Sequence, residues 1–114
     1  MITLRGIDPK MISNNLESSM LIHPGEMMKD EIESRGMTQK KLADMTGIAP
    51  SVLNEVLNGK RSVTTEYALL IEAALDIDAD MWIGLQADYD KQKARHDTSF
   101  LKRLEEIRKY AALL

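Results

Sequence analysis

Cysteine is absent from the 114 residues of this chain. That excludes a disulfide framework, a thiol nucleophile and a cysteine-based zinc site. Aromatic side chains make up only 4%, so the core must be built of Leu, Ile, Met and Ala, which favours helices over sheets. No apolar run approaches the roughly 20 residues that span a bilayer, and the first residues have neither the basic segment nor the apolar stretch of a signal peptide. A cytoplasmic protein with no membrane partner is the simplest expectation. Signatures of catalysis and ligand binding are missing too. There is no H-E-x-x-H, no phosphate-cradling glycine loop, and Asp76, Asp78 and Asp80 lack the central glycine of a calcium loop. His23 and His96 are far apart in sequence, and His23, just ahead of a helix, reads as a local hydrogen-bonding residue rather than a ligand. We therefore expect no enzyme, no metal and no cofactor.

The composition that remains, 44% hydrophobic and 29% charged, is that of a globular chain. Its length suffices for one compact domain. The eight methionines are expected to serve core packing. The most informative stretch is residues 38–61, which spacing divides into two short helices around a tight turn. Thr38 can cap the first, with Leu42 and Ala43 on its buried side. Gly47 falls where the chain must turn sharply, with positive φ, and Ile48 plugs the corner. Pro50 suits the first position of the second helix, where Leu53, Val56 and Leu57 recur at i, i+3, i+4. Ser51, Asn54, Glu55 and Asn58 are left facing outward, and Gly59 ends the helix ahead of Lys60 and Arg61. This is the layout of a helix-turn-helix, which sets one helix across the DNA backbone and the other in the major groove.

The formal charge of −3 looks unsuited to DNA until it is divided along the chain. Residues 1–36 carry four basic and six acidic side chains, and residues 62–114 seven and ten. Between them, Lys40, Lys41, Lys60 and Arg61 outnumber Asp44 and Glu55. Screening confines phosphate attraction to about 8–10 Å, so the local excess is what counts.

Around the motif, residues 1–22 form an arm with one short helix expected near Pro9–Leu16. His23-Pro24-Gly25-Glu26 opens a helix with Met28 and Ile32 on its inner face, ended by Gly36. After the motif, Thr64 can cap a fourth helix in which Ala68, Ile71 and Leu75 line one side, with Leu70 and Ala74 beside them. Asp78 can cap a fifth, where Trp82, Leu85 and Tyr89 face the bundle. Asp90–Asp97 is a polar spacer. Thr98 can cap a last helix whose Phe100, Leu104, Ile107, Ala111 and Leu114 make one narrow apolar stripe near heptad spacing, either folded back on its own domain or open to a second chain. The expected fold is all-α: a five-helix lambda-repressor-like domain over 23–97, an N-terminal arm over 1–22, and an extra amphipathic helix over 98–114.

Over residues 22–95 the sequence resembles the HigA (VapI-like) antitoxins, a branch of the XRE, lambda-repressor-like regulators. The likeness rests on Ile22-His23-Pro24-Gly25-Glu26, Met37-Thr38-Gln39, Leu42-Ala43, Gly47-Ile48 and Leu53 with Val56 through Arg61. It continues in Thr64-Thr65, Ala68-Leu69, Trp82 and Leu85-Gln86-Ala87-Asp88-Tyr89-Asp90. The resemblance implies a dimer that binds the operator of its own operon and neutralises a HigB-type toxin, a ribonuclease that cleaves messenger RNA. Two positions depart from the family pattern: Pro50, where many relatives have a polar or basic residue, and Glu55, where Arg is frequent.

For DNA contact the sequence points to Gln39 with the helix N-terminus as a phosphate site, and to Lys40 for added charge. Ser51, Asn54 and Glu55 are candidates for base edges, since Asn pairs with adenine and Glu accepts from cytosine N4. Asn58, Lys60 and Arg61 are better placed for the backbone. Two other readings fit the same residues: a transcriptional regulator without a toxin, and an interaction module in which Glu55 repels phosphate.

Overall fold

A computed structural model describes residues 21–114. Six helices and no strands occur among the described residues. They are α1 (Pro24–Ser34), α2 (Gln39–Thr46), α3 (Pro50–Leu57), α4 (Thr65–Leu75), α5 (Ala79–Arg95) and α6 (Thr98–Ala111). The short helix expected near Pro9–Leu16 lies outside the described residues. None of the helices is long and apolar enough to cross a membrane.

The starts of the helices follow the capping chemistry in the sequence. Thr38 accepts from Lys41 N at 3.1 Å and Thr64 from Tyr67 N at 3.1 Å, each satisfying an otherwise orphan N–H. Asp78 Oδ1 accepts from Asp80 N at 2.9 Å, and Glu72 of α4 accepts from Ala79 N at 2.9 Å. α6 departs from expectation by one residue. Asp97 is its cap, accepting from Ser99 N and Phe100 N, and Thr98 is the first helical position. A carboxylate is the stronger acceptor at a helix N-terminus, so it takes the role from the hydroxyl. The polar spacer is also mostly helical, because α5 runs on to Arg95. Lys, Gln and Ala sustain a solvated helix, and Lys93 and Arg95 suit its C-terminal dipole.

Residues Ile22–Tyr89 form one compact unit. Its core joins Met28 and Ile32 of α1, Leu42 and Ala43 of α2, Leu53, Val56 and Leu57 of α3, Ala68, Ile71 and Leu75 of α4, and Ala79 and Trp82 of α5, closed by Ile48 and Val63. Two expectations are corrected. Among the described methionines only Met28 is fully buried and Met37 packs at the margin, while Met27, Met45 and Met81 are exposed. Branched aliphatics with few rotamers take the core instead. Leu70, expected beside the inner face of α4, is exposed together with Leu69.

One contact sets how α1 meets α3. A Cβ on Gly25 would lie 1.8 Å from the Val56 carbonyl oxygen. Only a residue without a side chain lets the first turn of α1 reach the end of α3. His23, buried at 3% exposure, caps α1: its Nδ1 accepts from Gly25 N at 2.9 Å, while Glu26 reaches back to His23 N. Gly25→Ala is therefore expected to lower stability by about 1–3 kcal/mol, the usual cost of overpacking. Urea denaturation would read this as a lower midpoint at unchanged slope. An unchanged midpoint would mean that the corner yields freely.

Candidate nucleic-acid interface

The turn between α2 and α3 is made by Gly47 at φ 76°, a left-handed conformation that suits glycine. Ile48, 6% exposed, fills the corner beneath it. Pro50 begins α3, its fixed φ matching the first helical position and its missing N–H costing nothing there. Leu53, Val56 and Leu57 are buried, which directs Ser51, Asn54 and Asn58 into solvent, with Glu55 half-buried beside them.

The end of α3 closes tightly. Gly59 N donates to Val56 O and Lys60 N to Glu55 O, at 3.1 and 2.8 Å, with Gly59 left-handed at φ 74°. This Schellman closure turns the chain off the helix axis and delivers Lys60 and Arg61, both exposed, at its C-terminal end. The loop that follows is fastened from beneath by the buried Gln86 of α5, whose Oε1 accepts from Val63 N at 2.8 Å.

The side chains singled out in the sequence fall into two groups. Gln39, Asn54 and Asn58 form a connected row. Asn54 Nδ2 donates to Gln39 Oε1 at 3.1 Å, bridging the start of α2 to the middle of α3, and Asn58 Nδ2 donates to Asn54 Oδ1 at 3.2 Å. Glu55 and Arg61 form the second group, with Arg61 Nη2 and Nε at 2.7 and 2.9 Å from Glu55 Oε1. Lys40 pairs with Asp44 at 3.4 Å, both ends well exposed, a contact too solvated to hold the lysine strongly. Ser51 is exposed on the first turn of α3. Lys41 and Lys60 hold no ion pair with a described residue.

Two residues absent from the sequence-based site belong beside it. Lys29 of α1 donates from Nζ to Asn58 Oδ1 at 3.3 Å. A lysine on an exposed helix face carries no signal that marks it as a neighbour of α3. Gln86 acts at one remove, through the loop. Its signal was a polar residue one position past Leu85 on an otherwise apolar side of α5, a pattern that reads as a buried hydrogen bond only once the loop is in place.

Short paired helices with a left-handed glycine turn and an outward amide row define a helix-turn-helix protein, and the Helix-turn-helix family matches residues 28–82. Virulence-associated protein I of Dichelobacter nodosus is 32% identical over 77 residues, covering 67% of this chain and 71% of that protein. An addiction module antidote protein of the HigA family from Coxiella burnetii superposes with a TM-score of 0.66 at 30% identity, covering 75% of this chain and 91% of the other. A Pseudomonas aeruginosa protein in complex with its 18 bp operator DNA gives a TM-score of 0.61 at 26% identity, covering 64% and 80%. The chain belongs to the HigA (VapI-like) family of helix-turn-helix proteins.

The Gln86 tether supplies a test of how the loop is held. Gln86→Leu keeps the volume but leaves the Val63 N–H buried and unpaired, at an expected cost of about 1–3 kcal/mol. Hydrogen exchange at the Val63 amide should accelerate correspondingly. Protection equal to wild type would mean that the loop is held elsewhere.

Proposed function

We propose that this chain is a sequence-specific DNA-binding antitoxin that represses its own operon and neutralises a HigB-type ribonuclease toxin. The observation that carries the DNA half is the bond between Gln39 and Asn54. It puts a candidate phosphate-binding residue and a candidate base reader side by side on adjoining helices. In this reading Gln39, with the N-terminus of α2 and the charge of Lys40, takes a backbone phosphate. Ser51, Asn54 and Glu55 meet base edges, while Asn58, Lys60 and Arg61 lie along the backbone. Arg61 offsets the charge of Glu55, so the carboxylate can accept from cytosine N4 without repelling the duplex. The operator complex of the Pseudomonas relative supports the same use of the fold.

We further read α1–α5, over residues 23–97, as a five-helix lambda-repressor-like domain. α6 is then a separate element for assembly, with residues 1–22 as an arm. The helix-turn-helix of each copy carries only Lys40, Lys41, Lys60 and Arg61, and α3 itself no cation, so useful affinity requires two copies on a palindrome. None of the residues of α6 is buried, and Phe100 and Ile107 are 43% and 55% exposed, which favours α6 as the dimer contact. Toxin neutralisation rests on family membership. It would work by covering or distorting the toxin, through the arm, α6, or both.

The DNA reading predicts two distinct mutant profiles. Asn54→Ala should cost about 1–3 kcal/mol at one operator position and relax preference there. Lys60→Ala should weaken all duplexes alike and lower the salt slope by about 1. Titrations on specific and random duplexes separate them, and equal losses for Asn54→Ala on both would remove it from the base readers.

Assembly is tested independently. The dimer should span half-sites about 34 Å apart on one face of the duplex. Light scattering on a chain ending at Asp97 should give a monomer. A tight dimer would move the interface off α6. Co-expression with the product of the neighbouring open reading frame should abolish RNA cleavage by that product. Operator binding without any such protection would leave a regulator with no toxin.

A further inference from the structure

Lys29 lies outside the helix-turn-helix, yet it stands at the head of the amide row on α3. Its Nζ donates to Asn58 Oδ1 at 3.3 Å. Asn58 Nδ2 in turn donates to Asn54 Oδ1 at 3.2 Å and to the Asn54 carbonyl at 2.9 Å. Asn54 Nδ2 then donates to Gln39 Oε1 at 3.1 Å. An ammonium can only donate, whereas a carboxamide has one donating and one accepting end. A cation at the head of the row therefore admits only the oxygen of Asn58, which turns its nitrogen toward Asn54. The same polarity passes to Gln39, whose oxygen is occupied and whose Nε2 remains as the donor at the first position of α2.

We propose that Lys29 is a positioning residue for DNA recognition, orienting the row Asn58, Asn54, Gln39 so that Gln39 offers N–H to a phosphate. The proposal rests on the DNA-binding reading and adds to it a residue outside the motif. Phosphate oxygens only accept, so a row of the opposite polarity would set the Gln39 carbonyl oxygen against them. Asn54 is held in one amide orientation by the same chain, which is what discrimination of a base edge requires. The bond from Lys29 is charge-assisted, and successive bonds polarise one another. The Asn54 carbonyl favours the same orientation of Asn58, so the row is supported twice at this end.

Lys29 acts through Asn58 rather than on the duplex itself. It is half-buried, and it shares a shallow hollow with Glu26, Asp30 and Glu33 of its own helix, with Leu57 of α3 and with Asn58 at the C-cap of α3. Three carboxylates around one ammonium make a poor seat for phosphate.

The test uses the full chain and a duplex enriched from a randomised pool by the wild-type protein, with a random duplex of equal length for comparison. The ratio of the two affinities removes effects of bulk charge. That ratio should fall several-fold for Lys29→Met and about ten-fold for Lys29→Glu, whose acceptor meets the Asn58 oxygen. Lys29→Arg should restore it to within about two-fold. In an Asn58→Ala background, Lys29→Met should have no further effect on the ratio. In the free protein, NMR should find the side-chain NH2 protons of Asn54 and Asn58 exchanging faster in Lys29→Met than in wild type. Equal loss on both duplexes, with the salt slope reduced by about 1, would make Lys29 a phosphate contact and overturn the proposal. Unchanged exchange of the Asn54 and Asn58 NH2 protons in Lys29→Met would overturn it as well. A wild-type chain that enriches no sequence would sink the DNA-binding reading, and this role with it, whatever the NMR result.

Discussion

The approach of Gly25 to the carbonyl of Val56 sets how the first turn of α1 meets the end of α3, beside the exposed amide row. A helix is aimed by what its ends touch, and α3 is only eight residues long, from Pro50 to Leu57. Its buried residues set which face looks inward. They leave its tilt to the contacts at its ends, and α1 supplies one of these with a turn that has no side chain in the way. The same corner gathers further elements. The His23 side chain lies 3.4 Å from where a Cβ on Gly59 would be, and its ring meets the edge of Tyr89 at 4.9 Å between centroids. The start of α1, the exit of α3 and the middle of α5 are thereby joined around one imidazole. The segment His23-Pro24-Gly25-Glu26 therefore seats α1 against α3 through the buried His23 and the bare Gly25, while the exposed Glu26 completes the cap.

The electrostatics are consistent with a selective rather than a generally adhesive surface. The two acids of residues 37–61, Asp44 and Glu55, each sit against a cation, Lys40 and Arg61. What remains in excess is small, and the rest of the chain is acidic. A surface of this kind gains little from phosphate alone. Under the proposed function its discrimination comes from oriented hydrogen bonds, for which the connected amides of Gln39, Asn54 and Asn58 stand in fixed order. Fixing amides in advance removes rotamer entropy that would otherwise be lost on binding.

Local chemistry was legible in the sequence wherever one residue type had one physical use. Thr38 and Thr64 as caps, Gly47 as a left-handed turn, Pro50 as a helix start and the Leu53, Val56, Leu57 face all follow from backbone rules within a few residues. What was not legible depended on partners distant in the chain. Gln86 is buried because Val63, 23 residues earlier, needs an acceptor. Lys29 meets the amide row because Asn58, 29 residues later, lies beside it. The assignment of methionine to the core failed for a related reason: a flexible thioether chain is tolerated on either side of a helix, so its number says little about its place. The pairing of Glu55 with Arg61 was likewise hidden, since it spans the turn that ends α3.

A surface that reads a sequence, and does more than hold phosphate, must discriminate between duplexes of equal charge. The decisive measurement is equilibrium binding of the full chain to the DNA immediately upstream of its own coding region, against a scrambled duplex of equal length, across a range of salt concentrations. The upstream DNA should be preferred by at least about 10³-fold, with affinity falling linearly in log–log form as salt rises. Equal affinity for the two duplexes at every salt concentration would contradict it.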